Sequence, residues 1–445
     1  MTPSGSEDTT PTAPDARPSR RGLSRRSFFG AGGLAAAGGV AAGYALARAV
    51  DDGPGGAHVA DAAPYRGDTQ SGIITPAQDR LVAAAFDVRA DEREEVAALL
   101  QEWSTAAEQM AAGELVGGEA YQDERLPPRD TGEAWGYPPA GLTVTFGYGR
   151  SLFVDADGAD RFGLKDRMPA VLADGVPRFA NETLREADSD GDLLVQICGN
   201  DAQVCMHALR TLTRIAFGRA TLRWSQVGFG RTSSTTTGQD TPRNLFGYKD
   251  GTANLKAEDG RAELAEHLWV QDGDDSAAPW MVGGTYFVVR KIRMFLEVWD
   301  RQSLRDQDAF IGRSKRHGAP LSVVEPTAED EFAPIDLAAR DDEGALRVPV
   351  DSHVRVVHPD TNDGVRMLRR GYNYADGNDS LGRLDAGLFF IAFVRDPRTH
   401  FYPVLTKMTQ QDALTEYLQH HASALFAVPP GIGETGRFPG EALFA

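Results

Sequence analysis

Three short segments combine residue types that can bind a metal cofactor and move protons. The most informative segment holds Asp250 between two glycines, Gly247 and Gly251. Glycines on both sides let the backbone turn sharply and approach a bulky planar ligand while one carboxylate is aimed at it. An Asp-Gly pair is also common in ordinary surface turns, so it gains meaning only beside the other two segments. The three segments are 246–254 (FGYKDGTAN), 352–355 (SHVR) and 367–374 (MLRRGYNY).

His353 is the candidate metal ligand. It precedes an apolar run, and we predict that residues 353–357 form a strand beginning with this histidine. A neutral imidazole nitrogen is a common protein ligand of haem iron, although a lone histidine here can also be an ordinary core or edge residue. His358 is a rival ligand, but on one strand it would face the opposite side, and Pro359 favours an end of the strand there. We therefore expect His353 to bind the metal.

Together, the three segments resemble the dye-decolourising peroxidase family, whose GxxDG motif is matched by Gly247, Asp250 and Gly251. The resemblance covers about residues 70 to 430 in order. It implies an α+β fold in which two ferredoxin-like domains form a dimeric α+β-barrel-type peroxidase. Haem b (iron protoporphyrin IX) would lie between its proximal and distal elements. Further matching segments are 192–196 (DLLVQ), 311–315 (IGRSK) and 385–393 (DAGLFFIAF).

The resemblance implies a role for each candidate site residue. His353 would bind the iron. Asp250 would lie on the opposite face of the haem, with Arg369 beside it. Contacts with the haem would follow directly after the aspartate, at Gly251, Thr252 and Ala253.

Two further residues are candidates for supporting contacts. Arg313 has the guanidinium needed to hold a haem propionate bidentately, and an exposed loop arginine is the alternative interpretation. Asp385 is a candidate to accept the free N–H of His353, which would make the imidazole more basic. Ordinary capping or solvent exposure is the alternative for Asp385. One family contact is not matched, because this chain has Asp360 where the family often has arginine in an Asn-Pro-Arg segment.

These roles predict a peroxidase. Hydrogen peroxide must lose a proton from one oxygen and gain one on the other for its O–O bond to break heterolytically, and one acid–base group can do both. Asp250 would move that proton while Arg369 stabilises the negative charge on the departing oxygen. Small or bulky one-electron donors, such as dyes and phenolics, would then return the haem to its resting state.

Two other functions remain open. Members of the family exported by the twin-arginine pathway have been assigned the release of iron from haem (deferrochelatase activity), which would imply iron-uptake partners. A third interpretation keeps the fold without haem and makes the chain a structural or interaction protein. The formal net charge of -18 argues against a nucleic-acid partner, because binding a phosphate backbone requires clustered Lys and Arg.

The first 49 residues resemble an export signal rather than part of a fold. Residues 24–29 (SRRSFF) contain a twin arginine, and a weakly apolar stretch rich in Ala and Gly follows at 30–47. The many glycines disfavour a stable membrane anchor. We predict export by the twin-arginine pathway to an extracellular, cell-envelope or periplasmic location. Residues 50–72, rich in Gly, Asp, Ala and Pro, would be a linker.

Strand-like and helix-like segments alternate in the rest of the chain, as expected for an α+β architecture of two similar sheet-plus-helix domains. We place the domains at 73–240 and 241–445, with the boundary in the loop-rich stretch 231–279. The predicted strands are 81–88, 141–146, 193–198, 221–228, 285–289, 353–357 and 388–393. The predicted helices are 91–110 (capped by Asp91), 292–302 and 411–426. A further helix is predicted after a cap at Asn200 or Asp201, because Val204, Leu209, Leu212 and Ile215 fall close to helical spacing.

The cysteine content gives a weaker constraint. Cys198 and Cys205 are too few for a disulfide framework, and their spacing is neither that of a zinc site nor that of a CxxC redox pair. Two small buried apolar side chains or one local disulfide are the alternatives. The 445 residues, 41% of them hydrophobic, are sufficient for two packed domains.

Overall fold

The computed structural model describes residues 62–118, 124–180, 182–324 and 329–445. The predicted leader and the predicted linker as far as residue 61 lie outside the described residues. The strands are β1 Arg80–Val88, β2 Thr143–Gly149, β3 Leu193–Gly199, β4 Ala220–Arg231, β5 Thr285–Met294, β6 Leu368–Arg369, β7 Tyr372–Asn378, β8 Leu384–Val394 and β9 Leu418–Val428. The α-helices are α1 Arg93–Ala111, α2 Arg150–Phe153, α3 Ala170–Asp174, α4 Ala202–Ile215, α5 Arg261–His267, α6 Leu296–Trp299, α7 Leu304–Ile311, α8 His353–Val356, α9 Pro397–His400, α10 Tyr402–Gln411 and α11 Glu441–Phe444.

The strands form one antiparallel sheet in the order β5-β9-β2-β3-β1-β4-β7-β8-β6, and the pairing of β5 with β8 closes it. The first half has the order β2-β3-β1-β4, with α1 after β1 and α4 after β3, which is the ferredoxin-like βαββαβ unit. β7, β8, β5 and β9 repeat this order in the second half. Pairings of β4 with β7 and of β2 with β9 join the halves. The predicted α+β fold with two ferredoxin-like units is therefore confirmed.

Strand β1 shows why the sheet has two apolar faces. Leu81 and Ala83 belong to a core enclosed by the sheet, whereas Val82 and Phe86 pack with Trp103 of α1 in a second core on the outer face. All of these side chains are almost completely buried. A strand covered on both faces has no polar side, so its sequence is a continuous apolar run.

Three secondary-structure predictions are wrong in part, each where a short apolar run had to be assigned. Residues 353–357 were predicted as a strand, but His353–Val356 form the short helix α8. The predicted helix 292–302 begins inside β5, which continues to Met294, and only Leu296–Trp299 are α-helical there. The predicted helix 411–426 is largely the buried strand β9. Periodicity cannot distinguish a short buried strand from a helix, because both are apolar on every side.

Part of the predicted linker is ordered structure. Tyr65 is buried, and its hydroxyl shares a hydrogen bond with Ser104 of α1 at 2.8 Å. The amide of Gln70 is buried too, and it both donates to the Phe146 carbonyl and accepts from the Phe146 N–H. The prediction failed because the segment is rich in turn-forming residues, which indicate loops but not whether a loop packs on the core.

The predicted caps and cysteines have different outcomes. Asp201 caps α4, since its carboxylate accepts from two backbone N–H groups in the first turn. The predicted Asp91 cap is wrong, because α1 begins after Glu92 and has no side-chain cap. Cys198 and Cys205 are both buried and free. They belong to different cores, Cys198 within the barrel and Cys205 beneath the outer helices, so the disulfide alternative is excluded. Among the described residues, no helix is long and apolar enough to cross a membrane.

Candidate active site

A cavity of about 240 Å³ lies on the outer face of the second half of the sheet. Alternate residues of β5 and β8, among them Ile292, Met294 and Leu388, form one apolar wall. Helix α10 contributes Val404 and Met408 to the lining. Since successive side chains of a strand point to opposite faces, the same strands that fill the barrel also line this cavity. A mainly apolar lining with a few polar groups is typical of a cofactor pocket.

His353 opens helix α8 and lines this cavity. Its Nδ1 is 2.6 Å from Oδ2 of Asp412, a carboxylate whose side chain is only 1% exposed. The other oxygen of Asp412 accepts from the Leu414 N–H at 2.9 Å, so the carboxylate is held from both sides. Burial opposes the charged imidazolium, but the Asp412 carboxylate outweighs this effect and raises the pKa of His353. Because Nδ1 is engaged, Nε2 is the nitrogen available for coordination.

The structure corrects the predicted partner of His353. Asp385 lies at the start of β8, next to the pairing of Ala386 with Ala375 of β7. Its Oδ1 is buried and has no hydrogen-bond partner among the described residues. The carboxylate beside His353 is Asp412, which follows α10. Sequence reasoning missed it because the two residues are 59 positions apart and no local motif connects them.

Asp250 lies in a tight loop whose glycines are required by the backbone. Gly247 and Gly251 have φ angles of 83° and 81°, and a Cβ on Gly251 would lie 2.9 Å from the Ser233 Cα. A side chain with a Cβ would be strained in that conformation. The predicted glycine loop is therefore present, and it places Asp250 on the cavity.

Arg369 and Asn244 bind the two oxygens of the Asp250 carboxylate. Arg369 Nη1 donates to Oδ1 at 3.0 Å, and Asn244 Nδ2 donates to Oδ2 at 3.2 Å. The Asp250 side chain is 18% exposed and that of Arg369 is 26% exposed, and both line the cavity. Asn244 was not singled out from the sequence, although it lies only six positions before the aspartate.

Arg313 is buried on the cavity and is not the exposed loop arginine of the alternative interpretation. Its Nη1 donates to the carbonyls of Gly318 and Glu331 at 2.7 and 2.8 Å. Burial, partly offset by the charge of Glu331, lowers the pKa of Arg313 to about 10, so the guanidinium stays charged at neutral pH. A buried cation whose hydrogen bonds go to neutral carbonyls is able to bind an anionic ligand.

Gly251, Thr252 and Ala253 all line the cavity, as does the rival ligand His358. Thr252 Oγ1 is buried without a hydrogen-bond partner among the described residues. The Nδ1 of His358 accepts from the Asp360 N–H at 3.2 Å, and burial lowers the pKa of the His358 imidazole. The Asp360 carboxylate is 3.6 Å away and 77% exposed. His358 therefore shares the cavity with His353 but, among the described residues, has no buried carboxylate in ion-pair contact.

Comparison with known proteins identifies the family. The model described as "Dyp-type peroxidase, N-terminal" matches residues 70–230, and the one described as "Dyp-type peroxidase, C-terminal" matches residues 241–433. The chain belongs to the Dyp-type peroxidase family. The members of this family are haem-dependent peroxidases, which confirms the family, the enzyme class and the haem cofactor expected from the motifs.

The chain is similar to a named relative and to two solved structures over most of the length of each. Deferrochelatase of Escherichia coli (strain K12) is 35% identical over 386 residues, which are 85% of this chain and 86% of the relative. A structure described as an oxyferrous/water mixed complex of DtpA from Streptomyces lividans is 40% identical, with a TM-score of 0.78, covering 87% of this chain and 98% of that one. A DyP-type peroxidase from Cellulomonas bogoriensis is 34% identical, with a TM-score of 0.73, covering 86% and 98%.

The residues around the cavity fit a haem. A histidine with its Nδ1 fixed by a carboxylate presents Nε2 as an iron ligand, the arrangement that orients metal-binding imidazoles. The apolar residues of β5, β8 and α10 suit a porphyrin plane. The buried guanidinium of Arg313 suits a carboxylate at the edge of the porphyrin.

Proposed function

We propose that this Dyp-type peroxidase binds haem b through His353 and uses Asp250 and Arg369 to cleave hydrogen peroxide. The observation that carries the proposal is that one cavity is lined both by His353, whose Nδ1 contacts Asp412, and by the Asp250–Arg369 pair. One pair has the chemistry of a haem ligand. The other combines an acid–base group with a fixed positive charge.

The proton transfer falls to Asp250. Its carboxylate takes the proton from one oxygen of hydrogen peroxide and returns it to the other oxygen, which leaves as water. Arg369 holds the carboxylate at 3.0 Å and stabilises the negative charge that develops on the leaving oxygen. Haem, when bound, would supply the iron centre and the two electrons that reduce the peroxide. Small or bulky one-electron donors, including dyes and phenolics, replace those electrons.

Four residues are assigned to holding the porphyrin. Arg313 pairs with a propionate, since its hydrogen bonds to Gly318 and Glu331 both come from Nη1, which leaves its other nitrogens for a carboxylate. Gly251, Thr252 and Ala253 provide backbone and small side chains that allow close approach of a flat ligand.

We also propose that the protein acts outside the cytoplasm. The support is the twin arginine at 25–26, the weakly apolar stretch after it and the resemblance of residues 1–49 to a twin-arginine signal. Export in the folded state suits a protein that receives its cofactor before translocation. A fusion of residues 1–49 to a reporter should be exported, and replacing both arginines by lysine should retain the reporter inside the cell.

A second function is favoured by the names of the relatives. The deferrochelatases are 35% identical to this chain over 85% of its length. A protein that removes iron from haem would use the same cavity and would work beside iron-uptake partners. Product analysis distinguishes the two functions. Dye oxidation that depends on peroxide and leaves the haem intact supports the peroxidase, whereas metal-free porphyrin formed without peroxide supports iron release.

Two variants test the assigned residues, with a third as the matched control. His353→Ala should lose the haem Soret band near 400 nm. Asp250→Ala should keep that band and lower kcat/KM for peroxide by about 10²- to 10⁴-fold, the usual contribution of an acid–base group. His358→Ala removes the other histidine of the cavity and should keep the haem. Loss of haem in His358→Ala, with retention in His353→Ala, would overturn the ligand assignment.

A further inference from the structure

Asn254 lies four residues after Asp250 and is almost completely buried. Its side-chain amide makes three hydrogen bonds, all to backbone groups. Nδ2 donates to the carbonyls of Arg369 at 2.8 Å and Ser234 at 3.0 Å, and Oδ1 accepts from the Arg369 N–H at 2.7 Å. The amide therefore binds both backbone polar groups of the residue whose guanidinium holds Asp250.

Strand β6 explains why Arg369 needs this partner. It has only two residues, continues the line of β7 along the same side of β8 and, among the described strands, pairs with β8 alone. The next residue, Arg370, donates its N–H to Ile391 of β8. Because successive residues of a strand direct their backbone groups to alternate sides, those of Arg369 face the open edge. The Asn254 amide supplies a donor and an acceptor there, as a neighbouring strand would.

Asn254 also connects strand β6 to the Asp250 loop. Asn254 donates its own N–H to the Gly251 carbonyl at 3.1 Å, so it is anchored to the glycine turn that aims Asp250. The Ser234 carbonyl that accepts from Asn254 also accepts from Lys256 Nζ at 2.7 Å. Three chain segments, 232–235, 250–256 and 368–370, therefore meet at one side chain.

We infer that Asn254 is a positioning residue for peroxide cleavage. By binding the Arg369 backbone, Asn254 sets the distance between the Arg369 guanidinium and the Asp250 carboxylate. This inference rests on the proposed roles of Asp250 and Arg369. The hydrogen bonds of the Asn254 side-chain amide all go to backbone groups, so Asn254 acts through Arg369 and not on peroxide. Displacing a catalytic group by about 1 Å can cost roughly 10²-fold in rate.

A double-mutant cycle tests the inference. Asn254→Ala should lower kcat/KM for peroxide by about 10- to 100-fold while the Soret band and the haem content stay as in the parent. In an Arg369→Ala background the same change should lower it by less than about threefold, because the group it positions is gone. A role in general loop stability would give similar losses in both backgrounds, and that result would overturn the inference.

Two further variants keep the test decisive if Asn254→Ala folds poorly. Asn254→Asp has nearly the same shape and keeps the acceptor for the Arg369 N–H, but it loses both donated hydrogen bonds, so the same non-additive loss is expected. Asn373→Ala removes another buried amide, which donates to the Gly230 carbonyl at 2.9 Å, and should leave peroxide kinetics unchanged. A loss in Asn373→Ala equal to that in the Asn254 variants would contradict the inference. If Arg369→Ala alone has no effect, the proposed function fails instead.

Discussion

Replacing Asp412 by asparagine tests the proposed role of His353 as the iron ligand. The Asp412 carboxylate accepts from the Leu414 N–H with one oxygen and lies 2.6 Å from the His353 Nδ1 with the other. Asparagine has the same shape but only one oxygen. If that oxygen stays on the Leu414 N–H, an NH₂ group faces Nδ1 and donates to it. The imidazole proton must then be on Nε2, the nitrogen that we assign to the iron.

The size of the effect follows from the burial of the pair. The Asp412 side chain is 1% exposed, so solvent screens the interaction very little. A hydrogen bond to a charged group contributes about 1.5–3 kcal/mol, and about 1.4 kcal/mol corresponds to a factor of ten in an equilibrium constant. Changes to groups that orient a metal ligand typically cost about 10- to 100-fold in metal affinity. We expect a loss of that size in haem affinity for Asp412→Asn.

The assay is a titration of the haem-free protein with haem, followed at the Soret band. Asp385→Asn is the matched control, because Asp385 is the other carboxylate considered as a partner of His353 and lies on β8 away from it. The control should bind haem as the parent protein does. Parent-like affinity in Asp412→Asn together with weakened binding in Asp385→Asn would refute the reasoning.

Three more outcomes follow from the structure. Asn244→Ala removes a donor to the Asp250 carboxylate and should lower kcat/KM for peroxide about tenfold at unchanged haem content, measured by stopped-flow mixing. Gly251→Ala places a Cβ at φ 81° and should destabilise the fold by about 1–3 kcal/mol in denaturant unfolding, whereas Gly260→Ala, at an open position, should change stability by less than about 0.5 kcal/mol. A proton competes with iron for His353, whose pKa is raised by Asp412. Haem affinity should therefore fall about tenfold per pH unit below that pKa. In Asp412→Asn the fall should begin at lower pH, because the carboxylate that raises the pKa of His353 is gone.

The parts of the site that could be predicted from the sequence are those encoded by neighbouring residues. Gly247, Asp250 and Gly251 form a loop whose positive φ angles only glycine adopts readily, so residue type and spacing were sufficient. The contacts between segments were not predictable in this way. Arg369 is 119 positions from Asp250, and their meeting depends on a two-residue strand at a sheet edge. Only the family resemblance brought them together before the structure did.

The choice between the two histidines shows how an expectation can depend on a wrong intermediate step. Strand alternation placed His353 and His358 on opposite faces, but residues 353–356 are helical and both side chains line the same cavity. What distinguishes them is electrostatic. His353 has a buried carboxylate at 2.6 Å, whereas the Asp360 carboxylate beside His358 is 3.6 Å away and 77% exposed. A carboxylate without competing water makes the imidazole a stronger iron ligand, so Asp412 supports the assignment that the strand argument could not.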